Sequence, residues 1–221
     1  MIHGLIELKL FGQSVWITTT HISILVVMGI IILVACLIRA NLKGPDETPG
    51  MLQSFAEIAI EMLENMVAGI MGDKGGPFIN YIGTIFVFIL LSNISGIFGL
   101  RPPTADFGVT LPLGLMTFLI VQYQNIKNNK LGAFTDLFQP MPVLFPINLI
   151  GEIATPFSLG LRLFGNIISG TVIVALFYGM VPVFVKIGVP AVLHAYFDLF
   201  SGCIQAYVFC MLTMVFINNK Q

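Results

Sequence analysis

Charge is what this sequence has least of. Of its 221 residues only 10% are Asp, Glu, Lys or Arg, where a soluble domain carries about 25%. So few charges cannot cover a water-soluble fold of this size, and a soluble globular class is excluded. The formal net charge of −1 leaves no basic footprint for nucleic acid. Only three cysteines are present, Cys36, Cys203 and Cys210, without C-x-x-C spacing. They read as small buried hydrophobes, not as a disulfide or metal framework. The three histidines, His3, His21 and His194, do not cluster, so no metal site is expected. No phosphate-binding glycine loop and no nucleophile elbow occurs, which leaves soluble-type catalysis without candidate residues. The opening "MIHGLIELKLFGQSVWITTTH" lacks a basic stretch followed by an apolar core and a cleavage site, so no removable signal peptide is read there.

What is present is apolar: 57% of the residues are hydrophobic and the mean hydropathy is +0.95. The chain reads as a polytopic membrane protein. The runs 22–38, 78–100 and 109–124 are expected as membrane spans. Trp16 precedes the first where an interfacial residue would sit. Pro77 is expected at the first turn of the second span, and "RPPTAD" is a turn because Pro102 and Pro103 cannot continue a helix. Residues 51–71 differ in kind. Glu57, Glu61 and Glu64 share one face, while Phe55, Ile58, Ala59, Met62, Met66 and Ile70 fill the opposite side. This is an amphipathic helix, suited to lie on the bilayer or against a partner helix.

Two longer blocks follow, 147–185 and 189–217. A helix over the first would be nearly 60 Å long, about twice a hydrocarbon core. It either breaks, at Pro156, or lies steeply oblique. The expected class is therefore all-α: about five membrane-embedded helices, an interfacial amphipathic helix and a long oblique C-terminal hairpin, in a single membrane domain over residues 1–221. Flanking basic residues give its direction. Arg39, Lys43, Lys74, Lys127, Lys130 and Lys220 fall on one side, and Lys9, Arg101 and Lys186 on the other. Six against three puts the N-terminus outside and the C-terminus in the cytoplasm. Nothing repeats internally, so an inverted-repeat transporter is not supported.

The first long block holds one arginine, Arg162, with no carboxylate within a helical turn on either side. An arginine at the middle of a membrane helix costs about 2.5–3.5 kcal/mol on insertion scales. Glu152 is ten residues earlier, about 15 Å along the same helix, out of direct reach. With the hairpin turn placed near Lys186, Asp198 falls about 18 Å from the level of Arg162. Gln205 then comes level with both Arg162 and Asn166. The arginine is left with amide neighbours and no permanent anion, which suits a carboxylate supplied by another chain. Ser158, Arg162, Asn166 and Ser169 form one stripe; Asp198, Ser201, Gln205 and Thr213 form a looser one. Buried ionisable groups in lipid usually line aqueous paths, which makes Arg162, Glu152 and Asp198 functional candidates.

The segment "SLGLRLFGN", residues 158–166, strongly resembles subunit a of F-type ATP synthases, the membrane stator beside the rotating c ring. "PINLIGEIATPFSLGLRLFGN" extends the match upstream, and "IQAYVFCMLT", residues 204–213, matches the last helix of that family. The resemblance implies an ion-translocating subunit that hydrolyses nothing itself. It implies two offset half-channels for H+ or Na+, no bound cofactor, and a bacterial inner-membrane location. Arg162 matches the essential arginine, Asn166 and Gln205 the polar positions facing it, and Ser158 and Glu152 positions along the ion path. The implied partners are the c ring at the Arg162 face, peripheral-stalk b subunits through the helix over 51–71, and lipid. Two positions depart from the family pattern: Thr171 stands where many relatives have a glutamate, and Asp198 where some have a histidine. The rival readings are a self-contained secondary transporter or channel and a purely structural membrane anchor.

Overall fold

The computed structural model describes residues 4–10, 13–44, 49–129, 143, 145–180 and 189–220. Five helical stretches among them are long and apolar enough to cross a membrane: Thr19–Ala40, Met51–Phe98, Phe107–Asn128, Phe145–Met180 and Val192–Asn218. The architecture is that of an all-α polytopic membrane protein. The chain divides into two compact units, Met1–Pro103 and Thr104–Gln221.

The first unit opens with an antiparallel β-hairpin, β1 (Gly4–Leu10) and β2 (Gln13–Thr18), in register from Leu10 opposite Gln13 to Ile6 opposite Ile17, with a shift before Gly4 pairs with Thr18. This hairpin was not expected. Its signal is the alternation of Ile6, Leu8 and Leu10 with Glu7 and Lys9, a period of two that belongs to strands. Helix α1 (Thr19–Ala40) follows, with His21 Nδ1 2.7 Å from Thr18 Oγ1 at its start. Only Thr20, Ser23 and Val27 are buried on it, so most of its surface suits lipid. Cys36 is exposed on α1, against the expectation of burial. That expectation came from hydropathy, which cannot separate a lipid-facing site from a core site.

Helix α2 (Met51–Met71) ends at Gly72, whose φ of +58° is a region open to glycine. A 3₁₀ segment, Gly72–Phe78, contains Pro77 and leads into α3 (Ile79–Ile94), so Pro77 precedes the helix and does not open it. α2 meets α3 through a flanking stripe: Val67 and Met71 are buried, and a Cβ on Gly83 would lie 2.7 Å from Leu63 Cδ2. The face through Phe55, Ile58 and Met62 remains exposed, 54–69% for these three side chains.

The second unit holds the long helices. Asp106 caps α4 (Phe107–Asn129): its Oδ1 accepts from the Gly108 N–H at 3.0 Å. Helix α5 (Phe145–Met180) runs 36 residues without a break, Pro156 included. At 1.5 Å per residue it is about 54 Å long. Pro156 is tolerated where α4 comes closest. A Cβ on Gly114 would lie 2.5 Å from the Pro156 carbonyl oxygen, and one on Gly160 would lie 3.1 Å from the Thr110 carbonyl oxygen. Small residues at that crossing let two backbones touch, which is how membrane helices associate without a hydrophobic driving force. After residues 181–188, where the expected turn at Lys186 falls outside the described residues, the chain returns through α6 (Val189–His194), a π-helical segment (Ala195–Ser201) and α7 (Gly202–Asn218). Leu159, Leu163 and Ile167 of α5 and Ala206, Phe209, Met214 and Ile217 of α7 are buried in this unit.

The Gly114 contact is testable. Gly114→Val should overpack the α4–α5 crossing and cost about 1–3 kcal/mol, read as a lower midpoint of thermal unfolding in detergent. Gly29→Ala on α1, where an added Cβ meets nothing within 4 Å, should leave that midpoint in place.

Candidate functional site

The register of the hairpin fixes the site. Asn166 and Ser201 bond reciprocally: Ser201 Oγ donates to Asn166 Oδ1 at 3.1 Å, and Asn166 Nδ2 donates to the Ser201 carbonyl at 3.4 Å. One turn toward α6, Gly170 abuts Phe197, where an added Cβ would lie 3.1 Å from Phe197 Cβ. Carrying the antiparallel register one turn the other way sets Gln205 level with Arg162 along the axis, while the side chains of α7 that share the cavity of Arg162 are Leu212 and Phe216. Sequence arithmetic had set Gln205 level with both Arg162 and Asn166; the structure gives Asn166 to Ser201. The discrepancy comes from the reversal assumed at Lys186.

Arg162 makes no hydrogen bond and no ion pair among the described residues. It is exposed and lines a cavity of about 220 Å³ with Gly151, Thr155 and Ser158 of α5 and Leu212 and Phe216 of α7. Ser158, one turn earlier, is exposed too. Gln205 is only 8% exposed, and its Nε2 has no partner among the described residues; the same is true of the buried Thr213 Oγ1. A buried amide donor without an acceptor costs about 1–3 kcal/mol, a sign that something polar belongs in the space beside it.

The two candidate acids lie on opposite sides of Arg162. Asp198, 9% exposed, sits in the π-helical segment with its Oδ2 2.8 Å from His194 Nδ1. By register it is level with Ser169, about 10 Å from Arg162 along the helix axis. Glu152 lies about 15 Å the other way. Its carboxylate accepts from Lys220 Nζ at 2.9 Å and from Gln122 Nε2 at 3.1 Å. Glu152 is thus partnered within the chain, from α4 and from just past α7. Sequence reading treated Lys220 only as a topological marker and did not single out Gln122. Their separations from Glu152, 68 and 30 residues, leave no local pattern to find. Thr171 spends its hydroxyl on the Ile168 carbonyl of its own helix, at 2.8 Å. A short π-helical insertion of this kind often marks a functional position.

These features define an ion-handling polytopic membrane protein: an unpaired cation in an apolar helix, flanked in depth by two acids. The family model described as ATP synthase A chain matches residues 21–218. The chain is 39% identical over 223 residues to the protein named "ATP synthase subunit a, sodium ion specific" of Propionigenium modestum, covering 92% of this chain and 74% of that one. It is 34% identical over 199 residues to "ATP synthase subunit a 3" of Pelobacter propionicus (88% and 83% covered). With "ATP synthase subunit a" of Priestia megaterium it shares 33% over 225 residues (95% and 92%). The chain belongs to the ATP synthase A chain family. It is the ion-translocating stator subunit of the membrane sector, acts there with a c ring and b subunits, and is not itself catalytic.

The hairpin register can be checked by disulfide trapping in a background without native cysteines. The pair Asn166→Cys/Ser201→Cys should cross-link under mild oxidation. The pair Asn166→Cys/Gln205→Cys, one turn out of register, should not.

Proposed function

We propose that Arg162 divides two half-channels and attracts the ionised carboxylate of each passing c subunit. The observation that carries this is the guanidinium itself: exposed, without a counter-ion among the described residues, and set in an apolar helix. A fixed cation lowers the pKa of a visiting carboxylate or expels its bound cation. It also repels any ion that would pass directly between the half-channels. One elementary charge crossing 100 mV carries about 2.3 kcal/mol, and a leak would dissipate that without torque.

In this reading Glu152 serves one half-channel and Asp198 the other. Ser158 belongs to the Glu152 side, where it lines the cleft beside Arg162. Gln205 sits level with Arg162 along the axis, and Asn166 braces the hairpin through Ser201. The c ring covers the face of α5 and α7 on which Leu161, Ile168 and Val172 stay exposed beside Arg162, with Tyr207 and Val215 across from them. The b subunit takes the exposed apolar face of α2. The flanking basic residues place the N-terminus outside and the C-terminus in the cytoplasm. The transported ion is H+ or Na+, and external Na+ stimulating ATP hydrolysis by the purified complex would identify Na+.

Arg162→Gln is expected to abolish coupled ATP synthesis while the complex still assembles; normal synthesis in that variant refutes the role. Asp198→Asn is expected to slow ion flux through the complex, and flux unchanged across a pH range counts against Asp198. A self-contained transporter would move ions alone in vesicles, whereas this chain should move none without the ring.

A further inference from the structure

Lys220 is unexplained by the roles above. Its ammonium enters a second cavity, of about 130 Å³, lined by Glu152, Gln122, Thr117, Thr155 and Asn219 among others. That cavity and the cleft beside Arg162 share Thr155, Leu159 and Phe216. The two cavities are therefore neighbours, with Lys220, Gln122 and Glu152 lining one, Ser158 and Arg162 the other, and Thr155 the polar residue common to both.

The geometry points to Lys220 as a tethered competitor in a cation vestibule: its ammonium holds the place beside Glu152 that a hard monovalent cation takes on the way to Arg162. This inference rests on the proposed place of Glu152 in the ion path. Three observations support it. First, the ammonium lies 2.9 Å from Glu152 Oε1 while Gln122 bonds the other carboxylate oxygen. The acid is thus oriented as a cation ligand and neutralised at the same time. Second, the backbone at Lys220 is pinned, since Asn128 Nδ2 donates to the Lys220 carbonyl at 3.1 Å. The flexible four-carbon stem is then the part free to swing. Third, the paired side chains are 27% and 26% exposed. A pair that is not fully enclosed, with a cavity beside it, leaves room for an incoming ion to exchange with the ammonium. A staple for the C-terminus would need the ion pair but not the cavity behind it. With Lys220 in place, more of the ion is required on this side to reach a given flux.

The test uses the whole ATP synthase complex in liposomes, catalytic sector outward, with ATP-driven transport measured against external Na+ at fixed pH and against external pH at low Na+. Lys220→Gln should lower the half-saturating Na+ concentration, or the half-saturating H+ concentration, by roughly two- to fivefold. Lys220→Arg, which keeps a cation there, should reverse the shift. Half-saturation unmoved in both titrations overturns the inference. Glu152→Gln separates the two levels: transport unaltered by that change removes Glu152 from the path, whereas slowed transport with Lys220→Gln silent removes only the competitor. If Lys220→Gln fails to assemble, the acylation rate of Lys220 in the wild-type complex decides. A rate that rises when Na+ replaces choline, or when the complex is set pumping by ATP at low Na+, supports displacement, and a rate indifferent to both overturns it.

Discussion

A guanidinium in an apolar helix, with no acid paired to it among the described residues, is the constraint on which the rest of this molecule turns. Ionised arginine cannot shed its charge at any physiological pH, so the insertion penalty must be met by surroundings. Among the described residues those surroundings are the hydroxyls of Thr155 and Ser158, apolar side chains and a cavity of about 220 Å³. An internal carboxylate would have removed the penalty more fully. In the proposed role it would also silence the site, because a paired arginine offers a weaker field to a moving charge. The arrangement leaves Arg162 exposed and without a partner among the described residues, with Asp198 and Glu152 about 10 Å and 15 Å away along the axis.

Those separations depend on packing more than on the acids themselves. Gly114 and Gly160 let α4 and α5 touch backbone to backbone, and Gly170 admits Phe197. Asn166 and Ser201 then lock the hairpin with two hydrogen bonds. A slip of one turn would carry Asp198 about 6 Å closer to Arg162 or farther from it, and would move Gln205 off its level. In lipid, where burial supplies no driving force between helices, close contact and a few interhelical hydrogen bonds are what can hold such a register.

Much of this was legible in the sequence. Long uncharged runs gave the spanning helices, because only a helix meets every backbone hydrogen bond inside lipid. The motif around Arg162 gave the family, and the absence of a nearby acid gave the unpaired guanidinium. Three features escaped. The N-terminal hairpin carries its period of two over only a few residues, which the stronger apolar run beside it overshadows. The continuity of α5 through Pro156 could not be decided, since proline breaks or merely locally loosens a membrane helix according to what packs against it, and that neighbour is Gly114, forty-two positions earlier in the sequence. The bonds of Glu152 to Gln122 and Lys220 join three helical segments, so no local spacing encodes them. Cys36 shows a converse failure: hydropathy marks a residue as apolar in its setting but does not say whether protein or lipid surrounds it.

Depth order has a consequence for direction. In the proposed reading one acid, one arginine and a second acid succeed each other along a single oblique helix pair, and neither acid can reach the other without passing the cation between them. A channel continuous across that line would conduct a positive ion straight past a fixed positive charge, the least favourable route available. A route that leaves the chain, rides a neutralising carboxylate away from Arg162 and returns on the far side avoids that charge altogether. The electrostatics of one residue thus selects the detour over the direct crossing, and the detour is what turns ion flow into rotation. The two acids need not resemble each other for this to hold. Asp198 is tied to a histidine one turn away and Glu152 to Lys220, 68 residues on, so in the proposed reading each acid has its own partner while the cation between them has none among the described residues.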